Sequence, residues 1–277
     1  SATIGFLLSL CFLQILCELM GFEVETMISI TNDGAVRSLL LDRPEALNAF
    51  NNAMFDDLTD ALLAAAKDET VKVVILSGAG RAFSAGLDLA SIGADEPEPK
   101  HGFPGLYEAL LEFPKPLLLA INGLGVGVGC TICGLVDLVF MAKSARLRCP
   151  FSALGLTAEA GSSITFPALL GHQAATWVLM SSEWLDADTC QRLGLTFATV
   201  ADAELLSVTQ QHAQILAAQP LASLMTTKEL LMVPRREALR SAHELEGAAM
   251  ASLMGGAANQ EAIAAFRQKR TPDFSEL

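Results

Sequence analysis

Glu159 is the only acid in FSALGLTAEAGSS, residues 151–163. A carboxyl set among Phe, Leu, Ala and Gly is driven toward its protonated form, and a carboxylate with a raised pKa is a stronger base near neutral pH. Two glycine-bearing turns offer complementary chemistry. RAFSAGLDL (81–89) and NGLGVGVGC (122–130) each follow an apolar run, and the second leads into a helical pattern. Small residues let the main chain approach a ligand, and N–H groups at a helix start point outward and attract negative charge. Two such turns facing one another would present two donors to one oxygen. Taken alone, neither turn is specific. Gly127-Val128-Gly129 also suits close helix–strand packing, and it is not a G-x-G-x-x-G dinucleotide fingerprint. Glu159 could equally be an acid favoured near a helix start, because Gly161-Ser162-Ser163 follows it.

Other candidate side chains read more simply. Asp88 suits a turn acceptor for backbone N–H groups, and Asp137 suits a structural position before a strand. Glu108 and Glu112 are four apart and share a helix face, which is expected to be solvated, with a secondary acid role as the alternative. Ser84 and Ser162 have no His–acid companion in their sequence context, which disfavours a nucleophilic serine. Cys130-Thr-Ile-Cys133 lacks a second CxxC or a nearby His, so core packing is expected and a metal site is not. His101, His172, His212 and His243 are expected at the surface or at caps.

These residues need a scaffold. Ile28 to Ile30 and Val36 to Leu41 flank Thr31-Asn32-Asp33-Gly34, a hairpin signal. A helix is predicted from about residue 51 to 67, with Met54, Leu58, Ala61, Leu62 and Ala65 on one face. VKVVILSGAG reads as a buried strand entering a Gly turn, and GADEPEPKHG as a loop whose composition fits mobility. A helix over about 103–112 precedes the strand LLLAING, then a Gly-studded turn and a helix through LGVGVGCTICGLVD. VFMA and RLRCP are further strands. Helices dominate from Ala174 onward, with breaks predicted at Gly194, Pro220 and Pro234. Strand–turn–helix units followed by helices define an α/β core with a helical C-terminal region.

Composition narrows the function classes. A net charge of −13 argues against a nucleic-acid partner, and 52% hydrophobic against 18% charged residues excludes large-scale disorder. If the ligand is anionic, the few basic residues should lie close to it. The six cysteines, scattered through apolar stretches, suit a reducing compartment. The greasy run from Ile4 to Cys17 is shorter than the roughly 20 residues of a membrane span and lacks a basic flank. Ser-Glu-Leu at the end is not the Ser-Lys-Leu peroxisomal address. A cytoplasmic location is the resulting expectation.

Five segments in order, LDRPEALNAF, RAFSAGLDL, AINGLGVGVGC, PFSALGLTAEAGSS and AFRQKRTPDF, resemble the crotonase (enoyl-CoA hydratase/isomerase) superfamily across about residues 28–274. The resemblance implies a ClpP/crotonase-like ββα spiral core over residues 27–200. It leaves an apolar N-terminal extension at 1–26 and a helical oligomerisation region at 201–277, serving a homotrimer or a dimer of trimers. It implies an acyl-CoA thioester as substrate, with coenzyme A part of that substrate and no separate cofactor or metal. The N–H groups of Leu87 and Val128 would form an oxyanion hole. Ala85, Gly86, Leu87, Asp88 and Leu89 would line the adenine end of CoA, and Phe266 and Lys269 would serve CoA, often that of a neighbouring subunit. The two glutamates of the family's hydratases would fall at Thr131 and Phe151, so both are missing here. Glu159 instead matches the single glutamate of peroxisomal-type Δ3,Δ2-enoyl-CoA isomerases in β-oxidation, P-F-S-x-L-G-x-x-x-E-x-x-S-S. The expected activity is conversion of 3-enoyl-CoA to 2-trans-enoyl-CoA. The alternatives are another crotonase-type reaction, such as hydration using Glu159, and a non-catalytic acyl-CoA-binding module.

Overall fold

The computed structural model describes residues 26–91 and 97–277. The chain opens with the antiparallel hairpin β1 (Ile28–Asp33) and β2 (Val36–Leu41). Asp33 pairs with Val36, so the ladder runs three residues further than predicted and Gly34, at φ +59°, turns with Ala35. Helix α1 (Asn52–Lys67) follows, its start capped by Asn51, whose side chain accepts the Met54 N–H at 3.0 Å. Such a cap contributes about 1 kcal/mol. All five residues predicted on its inner face are buried. At its other end the buried Lys115 ammonium donates to Ala65 O and Asp68 O at 2.7 Å, a cation placed where helix carbonyls lack partners.

A repeated alternation follows. Strand β3 (Val73–Gly78) enters a large sheet and β4 (Ala82–Ser84) a small one. After α2 (Gly102–Leu111), β5 (Leu117–Ile121) and β6 (Leu124–Val126) do the same. After the single-turn α3 (Val128–Thr131), β7 (Leu138–Ala142) and β8 (Arg146–Arg148) repeat it. Helices α4 (Ser162–Leu170) and α5 (His172–Ser181) lead to β9 (Leu185–Asp186), α6 (Ala187–Leu193) and β10 (Ala198–Val200). The large sheet has the order β1-β2-β3-β5-β7-β10 and the small one β4-β6-β8-β9. Past the hairpin, neighbours in the large sheet are parallel, and so are β4, β6 and β8 in the small one. The fully buried runs of β3 and β5 are what a parallel sheet covered on both faces requires.

Helix α7 (Leu205–Ala217) lies across β2, β3, β5 and β7, and α8 (Leu221–Leu253) and α9 (Ala257–Arg267) complete the chain. Gly194 ends α6 in the left-handed region and Pro220 precedes α8, as predicted, but Pro234 lies inside α8 and does not break it. Proline deprives the Leu230 carbonyl of its helical donor. Both residues are exposed, so water can serve that carbonyl while Met232, Leu239 and Ala242 keep the opposite face buried. Arg240 also ties α8 to Glu108 of α2 and to Glu112 at its C-cap, at 2.6 and 2.5 Å. Two other expectations change. LGVGVGC begins as the short strand β6 before its helical turn. The described part of the charged loop is pinned, with the N–H groups of Lys100, His101 and Gly102 all donating to Asp56. Of the expected N-terminal extension, only Thr26 falls within the described residues.

Candidate active site

Strands β4, β6 and β8 run parallel and adjacent, so the segments leaving their carboxyl ends lie side by side. Those segments carry Leu87, Val128 and, further on, Glu159. Contact between the first two is close enough to require glycine. A Cβ on Gly86 would sit 2.5 Å from Val126 O, and one on Gly129 2.5 Å from Ser84 O. Gly86 has φ +86° and Gly127 φ +55°, conformations that side chains resist.

Main-chain hydrogen bonding aims the donors. Phe50 forms a parallel bridge with Leu87: its N–H donates to Gly86 O at 2.7 Å, and its carbonyl accepts the Asp88 N–H at 2.9 Å. Bonding to the residues on either side leaves the Leu87 N–H on the far side, with no acceptor among the described residues. Val128 is the first residue of α3, and its N–H has no acceptor there either. Asn48, itself at φ +54°, holds the base of β4. Its amide donates to Ala79 O and Ala82 O at 2.9 Å, and its carbonyl accepts the Ser84 hydroxyl at 2.8 Å.

Glu159 is neither a first-turn helix acid nor alone. The Thr131 hydroxyl donates to its Oε1 at 2.5 Å, bringing together two positions 28 apart in sequence. The residue keeps some exposed surface, yet its carboxyl is enclosed by protein. That burial pushes it up to about 7, opposed by the Thr131 hydrogen bond and aided by the charge of Glu246. The backbone around it is bent sharply, with buried Ala160 at φ +58° and Gly161 at φ +67°. Glu246, from α8, holds that bend by accepting the Gly161 N–H at 2.7 Å and the Ser163 N–H at 2.9 Å. Tyr107 of α2 backs the same bend: a Cβ on Gly161 would sit 2.8 Å from its hydroxyl oxygen. His243 stacks on Tyr107 at 4.1 Å.

The remaining predicted residues fall in distinct places. Ala85 is half-buried, its N–H on Leu47 O, while the side chains of Leu87 and Leu89 are exposed. Asp88 is a turn acceptor for the Ala90 N–H at 2.9 Å and pairs with Arg43 at 2.6 Å. Burial would raise its pKa, but the Arg43 guanidinium and the backbone donors hold it below the ordinary carboxylate value. Asp137 accepts the Leu117 N–H and the buried Lys228 ammonium, both at 2.7 Å. Phe266, in the last turn of α9, has 68% of its surface exposed, and Lys269 is exposed just beyond the helix. Asn259, on α9, donates to Leu154 O at 2.8 Å, so α9 packs beside the segment leading to Glu159 while Phe266 and Lys269 are exposed. Phe151 is buried. Cys130 and Cys133 are free and buried, with the Cys149 sulfur 3.5 Å from that of Cys130. His212 and His243 are half-buried against aromatic rings rather than at the surface or at caps. Among the described residues, no group of three or more His, Cys, Asp or Glu is arranged to hold a metal, and no helix is long and apolar enough to cross a membrane.

Sequence reasoning singled out Glu159 and the two turns but missed Thr131 as its partner, and it missed Glu246 and Asn48. The S-x-x-E or D-x-x-T signals that mark local caps have no counterpart for ties between residues 28 or 85 positions apart.

Alternation between two sheets, with a glycine-packed pair of unpartnered N–H groups and one desolvated acid beyond the small sheet, defines an α/β spiral protein. The enoyl-CoA hydratase/isomerase family matches residues 31–276, and the chain belongs to that family, with the crotonase fold. It is 32% identical to 1,2-epoxyphenylacetyl-CoA isomerase of Escherichia coli (strain K12), over 91% of this chain and 99% of that protein. It is 31% identical to enoyl-CoA delta isomerase 2 of Homo sapiens, over 82% of this chain and 58% of the human protein. A solved structure of the enoyl-CoA hydratase EchA8_6 from Mycobacterium marinum is 52% identical, with TM-score 0.72, over 74% of this chain and 99% of that one. The chain is accordingly an acyl-CoA hydratase/isomerase-type enzyme.

Proposed function

We propose that this enzyme moves the double bond of a 3-enoyl-CoA thioester into conjugation, giving 2-trans-enoyl-CoA, with Glu159 carrying the proton. The observation that supports this reading is a single desolvated carboxyl whose partner is a hydroxyl, Thr131, where the resemblance to hydratases would require an acid. Hydration by two carboxylates needs a second free acid. Glu246 does not serve, because each of its oxygens is taken by a backbone N–H.

The chemistry follows from that inventory. The C2 hydrogens of a 3-enoyl thioester are acidified by the carbonyl and by the neighbouring double bond. Glu159 removes one, and the electron pair spreads through a dienolate onto the thioester oxygen. The N–H groups of Leu87 and Val128 stabilise that oxygen by about 3 kcal/mol each. The proton then returns at C4. Ala85, Gly86, Leu87, Asp88 and Leu89 line the adenine end of CoA through main chain. Phe266 and Lys269 serve the CoA of a neighbouring subunit in a homotrimer or dimer of trimers. Their exposure on one chain, with Leu230, Leu231 and Leu245 exposed on α8, supports contacts made by the helical region from residue 201 onward.

A hydratase is the second reading, favoured by the 52% identity to a protein described as an enoyl-CoA hydratase. Offering the enzyme 3-hexenoyl-CoA and crotonyl-CoA in parallel separates the two. The isomerase develops conjugated-enoyl absorbance from the first and takes up little heavy oxygen from labelled water with the second. Rapid formation of a 3-hydroxyacyl product would replace the first reading by the second.

A further inference from the structure

The fold uses the two oxygens of Glu159 unequally. Oε1 takes the Thr131 hydroxyl at 2.5 Å, the length of a charge-assisted O–H···O bond, whereas Oε2 accepts no hydrogen bond from any described residue. Thr131 is fully buried and lies on the same single-turn helix that begins with the Val128 donor. Its one proton goes to the nearer acceptor, the carboxyl; Gly127 O, 3.3 Å from the hydroxyl oxygen, is the alternative acceptor.

We infer that Thr131 is a positioning residue of the proton shuttle: it ties down Oε1 and leaves Oε2 as the one oxygen that carries the proton. This inference rests on Glu159 being the base. A carboxyl free to turn about its last bond offers either oxygen, and a proton collected by one can be lost to water before the other meets C4. With Oε1 held, the steps balance on one atom. The C2–H bond breaks, Oε2–H forms, and the electron pair enters the dienolate. Oε2–H then breaks, and the dienolate pair forms C4–H. Oε1 keeps its hydrogen bond throughout.

That bond favours the carboxylate over the acid and therefore counteracts burial and Glu246. The groups facing Glu159 from neighbouring elements are Glu246 on α8 and the Cys130 thiol and Thr131 hydroxyl on α3. The Tyr107 phenol on α2 lies against Gly161.

The test uses 3-hexenoyl-CoA deuterated at C2, in ordinary water, with the full-length enzyme. Thr131→Val keeps the shape and removes the hydroxyl. It is expected to shift the pH midpoint of kcat/KM upward by about one unit and to at least halve the deuterium recovered at C4, with KM little changed. Thr131→Ser should restore both. Thr131→Ala is a second variant, expected to move the midpoint the same way if the valine protein folds poorly. An unmoved midpoint and unchanged deuterium transfer in folded Thr131→Val or Thr131→Ala overturn the inference, even if kcat falls. Glu159 protonation is read without turnover from the carboxylic C=O infrared band that Glu159→Gln removes. If Glu159→Gln keeps its activity while Thr131→Val still shifts that band, the base assignment fails and the tie stands. If the base assignment holds and the band does not shift, the tie fails.

Discussion

The donor turns and the acid segment meet at one place but are held in different ways. Leu87 and Val128 are fixed by main chain against main chain, with Gly86 against Val126 and Gly129 against Ser84. Glu159 is fixed by side chains, Thr131 on its carboxyl and Glu246 on the bend behind it. The two acids nearest these regions show the same contrast. Asp88, on the donor side, is held ionised by Arg43 and backbone N–H groups, whereas burial keeps Glu159 poised near neutrality. An oxyanion hole works by being rigid before charge develops, and a shuttle works by having two protonation states close in energy. Packing without side chains suits the first, and tunable side-chain contacts suit the second.

That difference can be broken from either end. Leu87→Pro or Val128→Pro deletes one donor and should cut kcat by about 10²–10³-fold in protein that circular dichroism shows to be folded. Glu246→Ala leaves two backbone donors without their partner beside a left-handed bend. A loss of about 2 kcal/mol is expected, read as a fall of several degrees in Tm together with lower turnover.

Glu159→Gln sharpens the comparison through stability. In the unfolded chain Glu159 ionises near 4.5, in the folded protein near 7. The folded state therefore holds its proton between those values and loses stability relative to the unfolded chain as pH rises through the window. Glu159→Gln should be more stable than wild type at pH 8 by roughly 1–3 kcal/mol, with the advantage gone near pH 4. Equal Tm differences at both pH values would show that the carboxyl is not desolvated. Leu87→Ala should change turnover least, less than about threefold, because its contribution is main chain and its side chain is exposed.

Local patterns made much of this legible. The β3 and β5 runs, the inner face of α1 and the two Gly turns follow from apolar spacing and small residues, and the isolation of Glu159 is visible in its own segment. The ordered motifs added the spiral fold. Contacts between distant positions were not legible: Thr131 with Glu159, Glu246 with Gly161, Asn48 with Ala82, Arg43 with Asp88. No periodicity encodes such pairs, because the fold alone brings them together. Pro234 misled for a related reason. A proline's local cost is fixed by its ring, but whether the helix survives depends on tertiary packing along its other face.

The most direct measurement compares wild type and Glu159→Gln on 3-hexenoyl-CoA, following conjugated-enoyl absorbance alongside binding of a non-reactive acyl-CoA. A loss of at least about a hundredfold in kcat with binding retained is the expected result. Turnover near the wild-type rate would contradict it, since a proton would then be moving without the only carboxyl assigned to carry it.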